Sequence, residues 1–227
     1  MQLLSLSRMH RYFIKTPWLV KKLFPDYIWC MPAEQNEVYL TFDDGPHPVI
    51  TPWVLDLLAT YEYHASFFCI GKNVVQYPEI YQRILNEGHA VGNHTFHHLN
   101  GWKTEESVYL DDVRKAATVI QTNLFRPPYG RISRKQANGI ANAMDNDAKL
   151  VMWDVLSGDF DTAISGEQCF RNVVQHIRPG SVVVFHDSDK AYRNLKTALP
   201  GVLHYLKELN YQCKKIELAG VGTSLHN

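Results

Sequence analysis

The sequence predicts an α/β fold, a repeating strand–helix array of about seven parallel strands, on three observations. From residue 37 onward, short apolar runs alternate with longer stretches of helical periodicity. Several runs are apolar nearly throughout and rich in Val, Ile, Phe and Tyr, which suits parallel strands covered on both faces. The residues able to do chemistry fall directly after those runs, at the strand ends where α/β folds bind ligands.

The runs occupy residues 38–42, 65–70, 89–93, 124–126, 150–155, 181–186 and 211–218. Helices between them imply right-handed βαβ crossovers. Thr51-Pro52 reads as an N-cap followed by proline at the first helical position. After Thr104, Glu105 and Glu106 suit a helix N-terminus, and Leu110, Val113, Ala117 and Ile120 share one face. Leu195, Leu199, Val202, Leu206 and Leu209 outline a last helix that Pro200 should kink or restart. Periodicity alone leaves a closed barrel and an open sheet as alternatives.

Residues 1–36 lie outside the alternation and are expected to form a strap, with one catalytic domain over 37–227. The strap should bury Trp18, Phe24 and Trp29. Its aromatic and basic mix over residues 11–29 also allows contact with a membrane surface, the less favoured reading.

The chain has 227 residues, 45% apolar, enough to fold around its own core without staples. Its 23 basic and 23 acidic side chains cancel, which argues against a nucleic-acid partner held by counterion release. The oligomeric state is left open. Cys30, Cys69, Cys169 and Cys213 form no metal-binding pair and read as reduced core thiols. No run reaches the ~18 residues of a membrane span. Arg8, His10, Arg11 and Lys15 interrupt the N-terminus, so the expectation is a cytoplasmic protein.

Five clusters carry the chemistry. Asp43 and Asp44 end the first strand before Gly45-Pro46, so one carboxylate is free to meet a metal and the other a nearby water. His94 and His98, four apart, present two imidazoles to one ion if the chain turns helically there. Two histidines and one carboxylate make a divalent site with positions left for water. Arg126, in Arg126-Pro127-Pro128-Tyr129-Gly130, is placed to hold a carboxylate bidentately. The fourth cluster runs from Trp153 to Phe160, with Asp154 and Asp159 readable as solvated loop carboxylates. His186 ends the sixth run and is the natural proton donor.

Together these motifs resemble the polysaccharide deacetylase family, carbohydrate esterase family 4, over roughly residues 37–218. Thr41–Pro46 is similar to T-F-D-D-G-P, His94–His98 to H-[ST]-x-x-H, Arg126–Gly130 to R-x-P-Y-G and Val184–His186 to L-x-H. The resemblance implies a distorted (β/α) barrel with fewer than eight units. It also implies a metal-dependent hydrolase that uses metal-activated water to remove acetyl groups from N- or O-acetylated oligo- or polysaccharides. Under it, Asp44, His94 and His98 hold a divalent ion, zinc by default, with cobalt, nickel or another first-row ion as alternatives. Asp43 is the general base, Arg126 orients it, and the Tyr129 backbone N–H meets the oxyanion. His186 is the general acid and Asp159 tunes it; His97 is not carried over. The fourth motif departs from the family's D-x-x-D-W, with Leu156 and Phe160 at the changed positions, which bears on the sugar more than on the chemistry. Other readings stay open: a related amide or cyclic imide hydrolase, a non-haem iron oxygenase, or a silent carbohydrate-binding protein.

Overall fold

The computed structural model describes residues 12–32, 35–144 and 147–218. In chain order its elements are helix α1 (Trp18–Leu23), strand β1 (Glu37–Asp43), α2 (Ile50–Thr60), β2 (Ser66–Cys69), α3 (Gly71–Gln76), α4 (Pro78–Asn86) and β3 (Ala90–Asn93). There follow α5 (Glu106–Ala117), β4 (Leu124–Phe125), α6 (Arg134–Ala143), β5 (Lys149–Leu150), β6 (Val155–Leu156), α7 (Gly166–Val174), β7 (Val182–His186), α8 (Asp189–Glu208) and β8 (Gln212–Cys213).

Seven strands pair in the order β5-β4-β3-β2-β1-β7-β6, all parallel, and β8 adds to the start of β1. The run expected as one strand over 150–155 is two short strands at opposite edges of the sheet. That detail dictates the shape. Seven flat strands would set the edges about 29 Å apart, but the connection over residues 151–154 reaches at most about 18 Å. The sheet therefore curls into an open, distorted half-barrel.

Strand parity decides what faces the inside. Val38, Leu40 and Phe42 of β1, Phe67 of β2 and Val183 and Phe185 of β7 point outward into the main core under the helices. Tyr39 and Val182 sit inside the curl with Phe68 and Val151, and by the same alternation Thr41, Asp43, Val184 and His186 face inward. Gly92 of β3 makes room for this interior, because a Cβ there would lie 2.3 Å from the Phe68 ring.

The strap closes the seam between the two sheet edges. The N–H of Ile28 donates to Leu150 at 2.8 Å, and Met152 donates back to Ile28 at 2.7 Å. On the other edge, Leu156 donates to Ile14 at 2.8 Å and Thr16 donates to Asp154 at 2.9 Å. Both exposed edges are thereby paired, which removes templates for aggregation. Asp154, for which a solvated loop carboxylate was one reading of the sequence, is buried and clasps the strap through Lys15 and Lys21, with the Ser181 hydroxyl as a third donor.

Several local expectations change. Helix α2 starts at Ile50, so Thr51 is in its first turn rather than at its cap, and its hydroxyl takes the His47 N–H and donates to Asp187. Helix α8 runs through Pro200 without interruption, held by Leu195, Leu199, Val202, Leu203 and Leu206 in the core. Of the strap aromatics, Trp29 is buried and Phe24 half-buried, but Trp18 is 71% exposed because α1 buries none of its residues. Cys69, Cys169 and Cys213 are buried free thiols, whereas Cys30 is exposed on the strap.

Candidate active site

The inward-facing ends of β1, β3, β4 and β7 converge on a cleft of about 400 Å³, whose lining includes Asp43, Asp44, His94, His98, Tyr129 and His186. Its geometry follows from how each strand ends.

At the end of β1, Asp43 stays in the strand and points inward, where Arg126 Nη1 meets its Oδ1 at 2.7 Å. Arg126 is completely buried. It does not grip the carboxylate bidentately, because its other donors are used elsewhere. Nη1 also donates to Thr41 Oγ1 at 2.7 Å, Nε to the Val151 carbonyl at 3.0 Å and Nη2 to the Met152 carbonyl at 2.9 Å. The guanidinium lies 3.9 Å over the Phe68 ring. Arg126 thus ties Asp43 to the backbone at the seam, and removing either member of so buried a pair should cost about 3–5 kcal/mol.

The next residue turns away. Asp44 has φ +84°, a left-handed backbone that a non-glycine residue seldom adopts, and this directs its carboxylate toward the two histidines. Asp44 Oδ1 is 3.1 Å from His98 Nε2 and 3.8 Å from His94 Nε2. The segment carrying the histidines is not helical. Left-handed backbone at Thr95 (φ +63°) and His98 (φ +59°) folds it instead, with the Thr95 N–H bonded to Asn93 Oδ1. His94 Nδ1 donates to the Arg126 carbonyl at 2.7 Å, which leaves the lone pair on Nε2 facing Asp44. Burial lowers His94 to about 4, so its ring is neutral and able to ligate near pH 7. Burial works to raise Asp44, but the hydrogen bond with His98 and the nearby His186 and His94 outweigh it and hold the carboxyl well below the usual range. One donor atom from each of Asp44, His94 and His98 lies within 4.8 Å of the others. A neutral imidazole oriented from behind, a second imidazole and an ionised carboxylate form a donor set that fits a divalent first-row ion.

His97 points elsewhere. Its Nδ1 lies 2.5 Å from Asp112 Oδ1, and Asp112 Oδ2 takes the backbone N–H groups of Phe96 and His97 at 2.9 Å. Asp112, which no sequence cue singled out, therefore holds the histidine loop in shape.

Across the cleft, His186 Nδ1 is 2.8 Å from Asp159 Oδ1, and the His186 N–H donates to Asp159 Oδ2 at 2.8 Å. Asp159 is fully buried rather than solvated. Burial alone would lower His186, but the charge and hydrogen bond of Asp159, helped by Asp44 and Asp43, raise it to about 9. The rings of Phe160 and His186 meet edge to face, with centroids 5.2 Å apart, and Leu156 lines the cleft. Tyr129 has φ +60°, is 61% exposed and sets its ring edge-on to His98 at 4.6 Å.

Tyr12, Arg131, Trp153 and Lys190 also line the cleft, outside the sequence-derived site set. Asp187, next to His186, supports the site from behind. Its carboxyl takes the Gly45 N–H at 3.0 Å and the Thr51 hydroxyl, bracing the turn that carries Asp44. Burial, opposed by the Thr51 bond and aided by Asp44, pushes it up to about 8, so it is mostly protonated at neutral pH.

Comparison with known proteins agrees with this arrangement. The sequence profile of the polysaccharide deacetylase family matches residues 31–146. A peptidoglycan-N-acetylglucosamine deacetylase of Bacillus cereus is 35% identical over 168 residues, 71% of this chain and 60% of that protein, so this chain spans about three fifths of its length. A chitooligosaccharide deacetylase of Azorhizobium caulinodans is 36% identical over 160 residues, 67% of this chain and 74% of that protein. The crystal structure of the Bc1960 peptidoglycan N-acetylglucosamine deacetylase, bound to a naphthyl N-hydroxybenzamide, superposes with a TM-score of 0.77 at 31% identity, covering 88% of this chain and 95% of that one. With the five motifs gathered in one cleft of a curled parallel sheet, the profile match and the relatives lead to one conclusion: the chain belongs to the polysaccharide deacetylase family, carbohydrate esterase family 4.

Proposed function

We propose that this chain is a metal-dependent hydrolase that removes acetyl groups from N-acetylated amino sugars in oligo- or polysaccharides. The observation that carries the reading is the Asp44–His94–His98 triad facing, across one cleft, both the Asp43–Arg126 pair and the His186–Asp159 pair. The relatives named above are deacetylases of N-acetylglucosamine-containing or chitin-type glycans, which favours N- over O-deacetylation. Zinc is the proposed ion.

A divalent ion held by the triad supplies Lewis-acid polarisation of the acetyl carbonyl and a water of lowered pKa. The remaining steps belong to the chain. Asp43, with Oδ1 held by Arg126, offers its second oxygen to take the proton of the attacking water, a contribution of roughly 10²–10⁴-fold. The backbone N–H of Tyr129 is the proposed donor to the developing oxyanion. His186, with Nδ1 turned to Asp159, presents Nε2 to the cleft and delivers its proton to the departing amine. Its elevated pKa keeps it charged at neutral pH, as an acid for a poor leaving group must be.

The test is acetate release from a panel of N-acetylated and O-acetylated oligosaccharides, with and without a chelator. Release from the N-acetylated members that stops on chelation and returns with metal is the expected result. Binding without release at any metal loading would make the chain a silent carbohydrate-binding member of the family.

A further inference from the structure

The strap does more than cover the seam of the sheet. Upstream of its clasp on Asp154 it brings Tyr12 into the lining of the cleft, 31 residues before the first motif aspartate in sequence. The Tyr12 ring packs against Phe160 with centroids 5.2 Å apart, and Phe160 in turn packs against His186 at 5.2 Å. A row of three rings thus leads outward from His186. Tyr12 extends that wall from a remote part of the chain.

Its position is held at several points. The Tyr12 hydroxyl donates to Asp161 Oδ2 at 2.8 Å, the carbonyl of Ile14 takes the Leu156 N–H, and the Thr16 hydroxyl donates to the Trp153 carbonyl at 2.7 Å. Gly158 is needed for this fit twice over. Its φ is +79°, and a Cβ there would come within 3.0 Å of the Tyr12 hydroxyl. A tyrosine so held offers a rigid amphipathic face at low entropic cost, the kind of surface on which the C–H face of a pyranose ring stacks.

We propose that Tyr12 is a substrate-contacting, specificity-determining residue, on which the sugar unit next to the one losing its acetyl group rests. The inference builds on the deacetylase reading and adds that the strap is part of the substrate site. Lys190, whose Nζ lies 5.6 Å over the Phe160 ring, borders the same wall.

The test compares the native protein with Tyr12→Leu, Tyr12→Ala and Tyr12→Phe on N-acetylglucosamine oligomers of increasing length and on 4-nitrophenyl acetate, with Phe13→Ala, an exposed neighbour, as control. Tyr12→Leu and Tyr12→Ala should raise KM for the tri- and tetrasaccharide by roughly 3- to 10-fold, the range expected for one aromatic contact. The loss on these oligomers should exceed the loss on nitrophenyl acetate at least severalfold and vanish on the monosaccharide. Tyr12→Phe keeps the ring and should restore most of the KM. If Tyr12→Ala fails to fold, Tyr12→Leu, which keeps apolar contact with Phe160, carries the test. A strap that is only structural would lower both substrates together, through kcat, at every chain length; that result overturns the proposal.

Calorimetric titration with the tetrasaccharide separates the two readings. Tetrasaccharide binding without turnover, weakened by Tyr12→Leu, would sink the deacetylase reading and keep the Tyr12 contact. Turnover with KM and Kd indifferent to Tyr12→Leu would do the reverse. A native protein that neither binds nor deacetylates the oligomers overturns both.

Discussion

On one side of the cleft, Asp44, His94 and His98 stand on two short loops that follow β1 and β3, and each loop bends through left-handed residues of its own. On the other side, His186 at the end of β7 meets Asp159 and Phe160 from the loop after β6, and Tyr12 from the strap packs on Phe160. The metal-facing wall takes its shape from the turns of its own two loops, and Asp187, Asp112 and the Arg126 carbonyl brace those turns from behind. The His186 wall is assembled from segments up to 174 residues apart, so its shape depends on how the strap docks. The comparison teaches that the two walls of one cleft are built in different ways, one on strand-end loops with left-handed turns and the other with a segment from the N-terminal strap.

The sharpest way to break the metal wall is to remove one ligand. His98→Ala should lose bound metal and, with it, nearly all acetate release, because a carboxylate and one imidazole leave too few donors for tight binding. His97→Ala should keep its metal, since that ring faces Asp112 rather than Asp44. Metal analysis of both variants after dialysis is the check, and equal loss in the two would overturn the ligand assignment.

The His186 wall should break in a different way. His186→Ala should lower turnover of an N-acetylated sugar by roughly 10²–10⁴-fold. It should harm nitrophenyl acetate hydrolysis far less, because nitrophenolate leaves without being protonated. Equal losses on the two substrates would mean that His186 is structural.

The pH profile probes the same wall more gently. With the protonated ring as the proposed acid, turnover of N-acetylated sugars should hold at neutral pH and fall as pH rises through about 9. Burial opposes that charge and Asp159 sustains it, so Asp159→Asn should move the alkaline limb down, toward or below the ordinary histidine value of about 6.5. A limb that stays in place in Asp159→Asn would assign it to another group. The raised value also means that the pair adds to stability fully below about pH 6.5 and that this gain is lost as pH rises through about 9.

The smallest effects concern how the strap is fastened. Burial tends to raise Asp154, but hydrogen bonds from Lys15, Lys21 and Ser181 hold it below the usual carboxylate range. The clasp therefore contributes to stability above about pH 4 and loses that contribution as pH falls through the depressed value. Lys15 and Lys21 are 35% and 25% exposed, so Asp154→Asn should cost only about 1–2 kcal/mol and lower Tm by roughly 2–8 °C. Trp18→Ala, on the exposed face of α1, should change stability by no more than about 0.5 kcal/mol. Differential scanning calorimetry orders the two, and a larger drop for Trp18→Ala would mean that this face is covered in solution.

By itself the sequence determined the α/β class, the approximate strand count and the five clusters, Asp44, His94 and His98 among them. These are legible because strand burial, strand ends and ligand spacing are local properties of a few consecutive residues. The tertiary structure alone decided that residues 150–155 split between opposite sheet edges, that Arg126 spends three of its four bonds away from Asp43, and that Asp154 is a strap clasp. It also brought Tyr12, Asp112 and Asp187 to the site or its supports. Each of those facts is a contact between segments distant in the chain, set by which side chains meet once the sheet curls, and no period or spacing along the sequence records such a meeting.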